Sequence, residues 1–377
     1  MRSFHLVPAI GRCLCLLLVL LGSLGISVAS AAPRAKQLSP HHAGNAMDPQ
    51  WSADAQSVAY EVVYSQEKYT DLFLLGASGK EQRLRPSAAA GSLSSRFSNR
   101  RQVTHEFAWA PGSQLYAFSS SGTDDDFDLY LRGVSLAIGG EFKEGGVAFS
   151  ADGRFMSFCS GGTGDGDLYL LNIYELEKPP VQLTTAPGLD FYGIWSPQGD
   201  RIAYVEHSGG GANIRVIEEA SSPKRSFRSL TGWDSIQLKP SWSPDGAWIA
   251  FYSNYQNEDR SRFDVWIVAA AGGQPVQIAA DVLPSERRGP AWTPNGEELV
   301  LVRNAPSQGD PLIRVDVQTR EELVIPTATV NNSEPSLAED PGSGLWKLAF
   351  VSQGRVGASD NAWRAVWSYE LPRERSR

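Results

Sequence analysis

From about residue 45 onward the chain alternates short apolar runs with polar turns, and the runs return in a fixed order. The clearest copy reads Trp242-Ser-Pro-Asp-Gly-Ala-Trp-Ile-Ala-Phe251, then Asp264-Val-Trp-Ile-Val268, then Val276-Gln-Ile278. Related copies begin at Trp51, Trp109, Phe149, Trp195 and Trp292, and a degenerate one begins near Leu337. Seven to nine places on, the first six copies carry an apolar triplet of the type Val58-Ala59-Tyr60 or Ile249-Ala250-Phe251. The degenerate copy reaches Leu348-Ala349-Phe350 after a longer turn. Start-to-start spacings of 58, 40, 46, 47, 50 and 45 mark one structural unit used repeatedly.

Each copy reads as four short strands. Strand A ends at the aromatic residue, and a Pro-Asp-Gly turn reverses the chain, proline presetting φ and glycine accepting a positive φ. Strand B carries the apolar triplet, strand C the Asp-x-Tyr/Trp-x-Val run, and strand D a Gln-Leu-Thr-like run. Such units at this period predict an all-β fold, a β-propeller of seven four-stranded blades over residues 36–371. The last copy supplies only three strands, ending around Trp363 to Leu371. Lys36-Gln-Leu-Ser39 stands as an orphan strand D that completes the last blade and removes two exposed edges. Six blades with a degenerate tail is the alternative. For blade 1, either Arg83-Leu84 or Gln102-Val103 serves as strand D.

The chain start changes where this propeller works. Arg2 and Arg12 precede an apolar run from Cys13 to Val28, and Ala29-Ser30-Ala31 supplies a small-x-small cleavage pattern. Residues 1–31 therefore read as a signal peptide, its apolar run short of the roughly 20 residues of a membrane span. No membrane span is expected after its removal, and the expected location is the periplasm or the exterior. Cleavage leaves Cys159 as the only thiol, so no internal disulfide forms. The formal charge of −8 falls further by the two charges of Arg2 and Arg12. An acidic chain without a Lys/Arg cluster is a poor binder of phosphate backbones, which argues against nucleic acid.

The runs Gln182-Leu-Thr…Trp195-Ser-Pro-Gln-Gly…Ile-Ala-Tyr and Pro240-Ser-Trp-Ser-Pro-Asp-Gly-Ala-Trp-Ile-Ala-Phe resemble the TolB-like β-propeller repeat of exported bacterial proteins. The resemblance covers roughly residues 36–371. It implies a periplasmic propeller, and it assigns no activity, because this repeat occurs in scaffolds, peptidase domains and lyases alike. The α/β domain that precedes the propeller in TolB is not expected here.

In such blades the A–B turns are short and stereotyped, whereas the B–C and D–A loops vary. The longest insertion, Arg85 to Thr104, joins this variable face, which is the expected working surface. Three residues before each strand-A aromatic stand Asp48, Glu106, Gly146, Tyr192, Lys239, Gly289 and Glu334, an expected ring at the channel mouth. Asp48, Glu106 and Glu334 belong to blades that become neighbours on closure, and His41, His42 and His105 fall in D–A loops of that sector. The expected site is thus an acidic, histidine-bearing patch formed by Asp48, Glu106, Glu334, His42, His105, Tyr192 and Lys239. It would receive a basic peptide segment or a cation.

Other chemistry is less well supported. A catalytic metal needs three or four converging ligands, and His207 lies on a blade across the ring. Asp124-Asp-Asp126-Phe-Asp128 and Asp165-Gly-Asp167 lack the spacing of a calcium loop. Gly162-Thr-Gly164-Asp-Gly166 joins strands instead of opening a helix, and no nucleophile-elbow or zinc-protease motif occurs. No metal or other cofactor is expected. The partner is expected to be a protein or peptide of the cell envelope, met by a non-catalytic scaffold. The alternative is a lyase or hydrolase acting on glycans at the channel mouth.

Overall fold

The computed structural model describes residues 35–85, 103–112, 115–121, 127–132, 134–136, 144–162, 164, 166–355 and 363–373. The signal-peptide segment, most of the insertion after Arg85 and most of the run Asp124 to Asp128 lie outside these. Seven four-stranded antiparallel sheets account for nearly all the strands described. Blade 1 comprises Asn45–Trp51, Ser57–Tyr64, Tyr69–Gly76 and Glu81–Leu84, which settles its strand D in favour of Arg83-Leu84. The strand-A segments of blades 2 to 5 are Thr104–Trp109, Glu144–Phe149, Leu189–Trp195 and Gln237–Trp242. Blade 6 starts with the short Ala291–Trp292. Among the described residues no helix is long and apolar enough to cross a membrane.

The seventh blade is built from both ends of the chain. Ser333–Glu339, Trp346–Ser352 and Ala365–Leu371 supply three strands, and Lys36–Gln37 adds the fourth. Lys36 pairs with Ser368 and Gln37 with Trp367. The closure continues past the ladder, since Leu38 N–H donates to Val366 O at 2.8 Å and Val366 N–H donates to Ser39 Oγ at 3.0 Å.

The repeat motif has a local physical cause. In the A–B turns the hydroxyl of Ser52, Ser150, Ser243 or Thr293 accepts the N–H five residues on, for example Phe155 to Ser150 at 2.9 Å. Ser150 Oγ in turn donates to Asp152 Oδ1 at 2.6 Å. These serine hydroxyls, with turn N–H groups, hold the Asp54, Asp152 and Asp245 carboxyls below the usual range. In blades 2, 4, 5 and 6 the strand-A tryptophan ties the blade to the one before, as where Trp195 Nε1 donates to Ser157 Oγ at 2.9 Å and Trp242 Nε1 to Ile194 O at 3.1 Å. Apolar layers fill the spaces between blades, as where Val205, Ile214 and Val216 meet Trp242, Phe251 and Trp266. At about 25 cal/mol for each Å² of apolar surface buried, these layers are the main stabilising element.

Candidate functional site

Every strand A except that of blade 6 carries a bulge at the same place, where two residues oppose one. The register slips between Met47 and Gln50, His105 and Ala108, Gly145 and Ala148, Phe191 and Ile194, Leu238 and Ser241, and Ser333 and Ser336. The first extra residue takes a left-handed conformation: Asp48 has φ 46°, Glu106 57°, Gly146 63°, Tyr192 54°, Lys239 52° and Glu334 55°. These are the residues that the repeat arithmetic placed in a ring. A side chain other than glycine in this region costs on the order of 1–3 kcal/mol, and such strain gathers at functional sites.

The bulges converge on an axial cavity of about 760 Å³, whose lining includes Asp48, Glu106, Gly146, Tyr192, Lys239 and Gly289. Asp48 is buried, at 3% exposure, and its Oδ2 accepts from Gln50 Nε2 at 2.8 Å. Glu106 Oε2 accepts the N–H of Gly146 in the next blade. Gly145 leaves room for this, since a Cβ there would come within 2.1 Å of that oxygen. Burial raises the Glu106 carboxyl above its ordinary range. Glu334, 5% exposed, accepts from the backbone N–H of Glu286 and is raised to about 7, first by burial and then by the nearby charge of Asp48. Burial pushes Lys239 down; its ammonium donates to Ser285 O and lies 5.7 Å from the Tyr192 ring centroid. The structure thus brings Asp48, Glu106, Tyr192, Lys239 and Glu334 to one mouth.

The histidines are placed differently. His42 lies toward the outer edge of blade 1, its ring 4.5 Å from that of Phe73 and its Nε2 3.1 Å from Glu81 Oε1. His41 is near Gln37, at 3.4 Å. The N-terminal segment passes along the outside of the blade before it enters strand A, so its loop histidines do not reach the axis. His105 belongs to strand A, paired with Ser119, instead of a D–A loop, and its side chain lies outside the described residues. Among the described residues no group of three or more His, Cys, Asp or Glu side chains could hold a metal ion.

Three residues that the repeat did not single out complete the mouth. Glu61, in strand B of blade 1, is 1% exposed, and its Oε1 accepts the Glu106 N–H at 2.8 Å. Burial lifts its carboxyl to about 8, against the opposing pull of Arg287. Arg287 lies 3.6 Å from Glu61 Oε2 and 3.9 Å from Glu106 Oε1. Arg288 donates from Nε to Asp48 Oδ1 at 2.7 Å and reaches Phe107 O at 3.4 Å. Both arginines come from the loop between blades 5 and 6 and cross to blades 1 and 2. The patch read as acidic is therefore a mixed one, four carboxylates facing Lys239, Arg287 and Arg288. Glu61 carried a signal: the matching strand-B positions hold Ser119, Cys159, Val205, Tyr252, Val302 and Val351, so a carboxylate there stands out.

Comparison with known proteins agrees with this architecture. The model of the TolB beta propeller domain matches residues 146–345, just over half of the chain. An uncharacterized protein of Agrobacterium fabrum is 22% identical over 160 residues, which cover 38% of this chain and 52% of the relative. The chain thus spans about half the length of that curated relative. TolB from Acinetobacter baumannii superposes with a TM-score of 0.53 at 20% identity, over 76% of this chain and 67% of that one. An oligogalacturonate lyase from Vibrio parahaemolyticus gives a TM-score of 0.62 at 10% identity, over 92% and 95% of the two chains. At such identities the solved structures share the fold, which scaffolds and enzymes alike employ.

Proposed function

This chain belongs to the TolB β-propeller family, and on that premise we propose that it is an exported, non-catalytic interaction scaffold of the bacterial cell envelope. The loop-side mouth of its axial channel receives a segment of a protein partner. One observation carries the reading: the mouth's charged groups are engaged with one another or with backbone. Glu106 is held by Gly146 N–H, Glu334 by Glu286 N–H, Asp48 by Arg288 and Gln50, and Lys239 by Ser285 O. Charged groups gathered and oriented in this way at one mouth suit recognition of a charged segment. Periplasmic placement is supported by the basic–apolar–small order of residues 1–31.

The test is a pull-down from envelope extract with wild type and with the charge reversals Glu106→Lys and Glu334→Lys. Wild type should retain a specific partner that the reversals lose. Retention of every partner by both reversals would overturn the assignment of the mouth.

A second reading, an enzyme acting on glycans, is favoured by the carboxyls of Glu61 and Glu334, raised to about 8 and about 7 and so able to carry a proton near neutrality. Incubation with oligogalacturonate, followed by the ultraviolet absorbance of unsaturated products, separates the two. Turnover that disappears in Glu61→Gln would establish the enzyme.

A further inference from the structure

The basic segment that the carboxylate ring was expected to receive is already there, and it is the chain's own. Residues 283–290 leave strand D of blade 5 and pass over the mouth before strand A of blade 6. The two ends of this strap are fixed. Leu283 N–H donates to Val302 O at 2.9 Å, and Pro290 O accepts from Ser241 Oγ at 2.7 Å. Between them the strap is held by side chains: Glu334 accepts Glu286 N–H, Lys239 donates to Ser285 O, and Arg287 and Arg288 reach Glu61, Glu106 and Asp48.

That grip is loose where it matters. The Arg287 contacts, at 3.6 and 3.9 Å, are ion pairs without close hydrogen bonds, and the two arginine side chains are 33% and 41% exposed. Arg288 is the firmer of the two, at 2.7 Å from an Asp48 that is 3% exposed, so the weak point of the grip is Arg287, which stands off a Glu61 that is 1% exposed. Beneath them the acceptors are incompletely used. Glu61 Oε2 and Glu334 Oε2 are buried without a hydrogen-bond partner, in side chains 1% and 5% exposed. A buried polar atom left without a hydrogen bond is costly, so a closer donor is favoured over the one present.

We infer that the strap 283–290 is a displaceable plug, and that Glu61, Glu106 and Glu334 beneath it form a subsite for an arginine side chain of the protein partner. The inference rests on the scaffold reading. A guanidinium fits better than an ammonium, because its planar fork can reach the carboxyl oxygens of Glu61 and Glu106 together. The partner exchanges its arginine for Arg287, and the strap swings out on its fixed ends.

The probe is a fluorescein-labelled, acetylated and amidated tetra-arginine peptide, titrated by anisotropy into the purified protein at low salt. With the plug in place in most molecules, the wild type binds weakly. Removing it with Arg287→Gln plus Arg288→Gln should tighten binding about tenfold, the factor by which a closed population lowers apparent affinity. Adding Glu61→Gln and Glu106→Gln should abolish that gain, and a tetraglutamate peptide should not bind. Hydrogen exchange on the unmodified protein needs no variant: saturating tetra-arginine should strip protection from the Glu286 amide. No tightening in the double arginine variant, or unchanged exchange over 283–290 at saturation, would overturn the plug. Those outcomes are separate from failure of the scaffold reading, which would show in the pull-down while tetra-arginine still displaced the strap.

Discussion

Replacement of Glu334 by glutamine isolates the energetic cost of ionising the mouth. In the folded protein this carboxyl is raised from 4.5 to about 7 by burial and by Asp48. At about 1.4 kcal/mol for each pH unit, the native state therefore loses about 3 kcal/mol when Glu334 ionises, relative to the unfolded chain. The sign follows from proton binding. A group with a raised folded value holds its proton in the native state at pH values where the unfolded chain has released it. Its contribution to stability is complete below about pH 4.5 and is lost as pH rises through about 7. Glutamine removes that dependence and keeps an oxygen to accept the Glu286 N–H.

The variant should thus match wild type closely near pH 5, within about 1 kcal/mol, and exceed it by about 3 kcal/mol near pH 8. Urea unfolding at a series of pH values reads this directly. With a denaturant slope near 3 kcal/mol/M, the midpoint should shift by about 1 M at the alkaline end and little at the acid end. A difference that stays flat with pH, or a variant weaker than wild type near pH 8, would refute the reasoning. It would mean that Glu334 is stabilised by contacts that need its charge.

Three other perturbations address the frame. Glu298→Ala leaves Arg314 buried without its carboxylate, both side chains being at most 6% exposed, and should cost about 3–5 kcal/mol in urea unfolding; a loss under about 1 kcal/mol would contradict it. Deleting Lys36 to Ser39 removes the fourth strand of blade 7 and the Leu38 and Ser39 bonds to Val366, so melting temperature should fall by at least about 5 °C and Ala365–Leu371 should exchange rapidly. Unchanged protection there would show that closure does not depend on this strand. Burial pushes the Cys159 thiol up to about 12, so alkylation near pH 8, followed by mass spectrometry of its peptide, should be roughly a thousandfold slower than for a free cysteine. Prompt labelling of the folded protein would show that the thiol is reachable.

What could be read in the sequence divides along a physical line. Strand order, the closing segment and the ring positions are legible because they rest on local rules that recur in most blades. A hydroxyl caps the turn, a tryptophan reaches the previous blade, and a bulge lies at fixed distance from both. Asp48, Glu106, Tyr192, Lys239 and Glu334 could therefore be found by offset alone, with no knowledge of what they touch. Arg287 and Arg288 could not, since they belong to a loop without a counterpart in other blades, and their partners lie about 240 and 180 residues away in sequence. A clue was present in blade 6, whose ring position is Gly289. Where six blades build a bulge, the seventh leaves the space into which the strap presses, and a Cβ there would strike the Lys239 carbonyl. His42 marks the limit of reading by distance along the chain, for it precedes strand A closely and still lies away from the axis. Its ring packs at a tilt against Phe73 because the incoming chain must first pair with blade 7 and then pass along the outside of blade 1. Repetition thus specifies the scaffold and the positions it offers. The two arginines that turn an acidic ring into a mixed one come from a loop that breaks the repetition, and the chain's selectivity should be sought where that loop meets the ring.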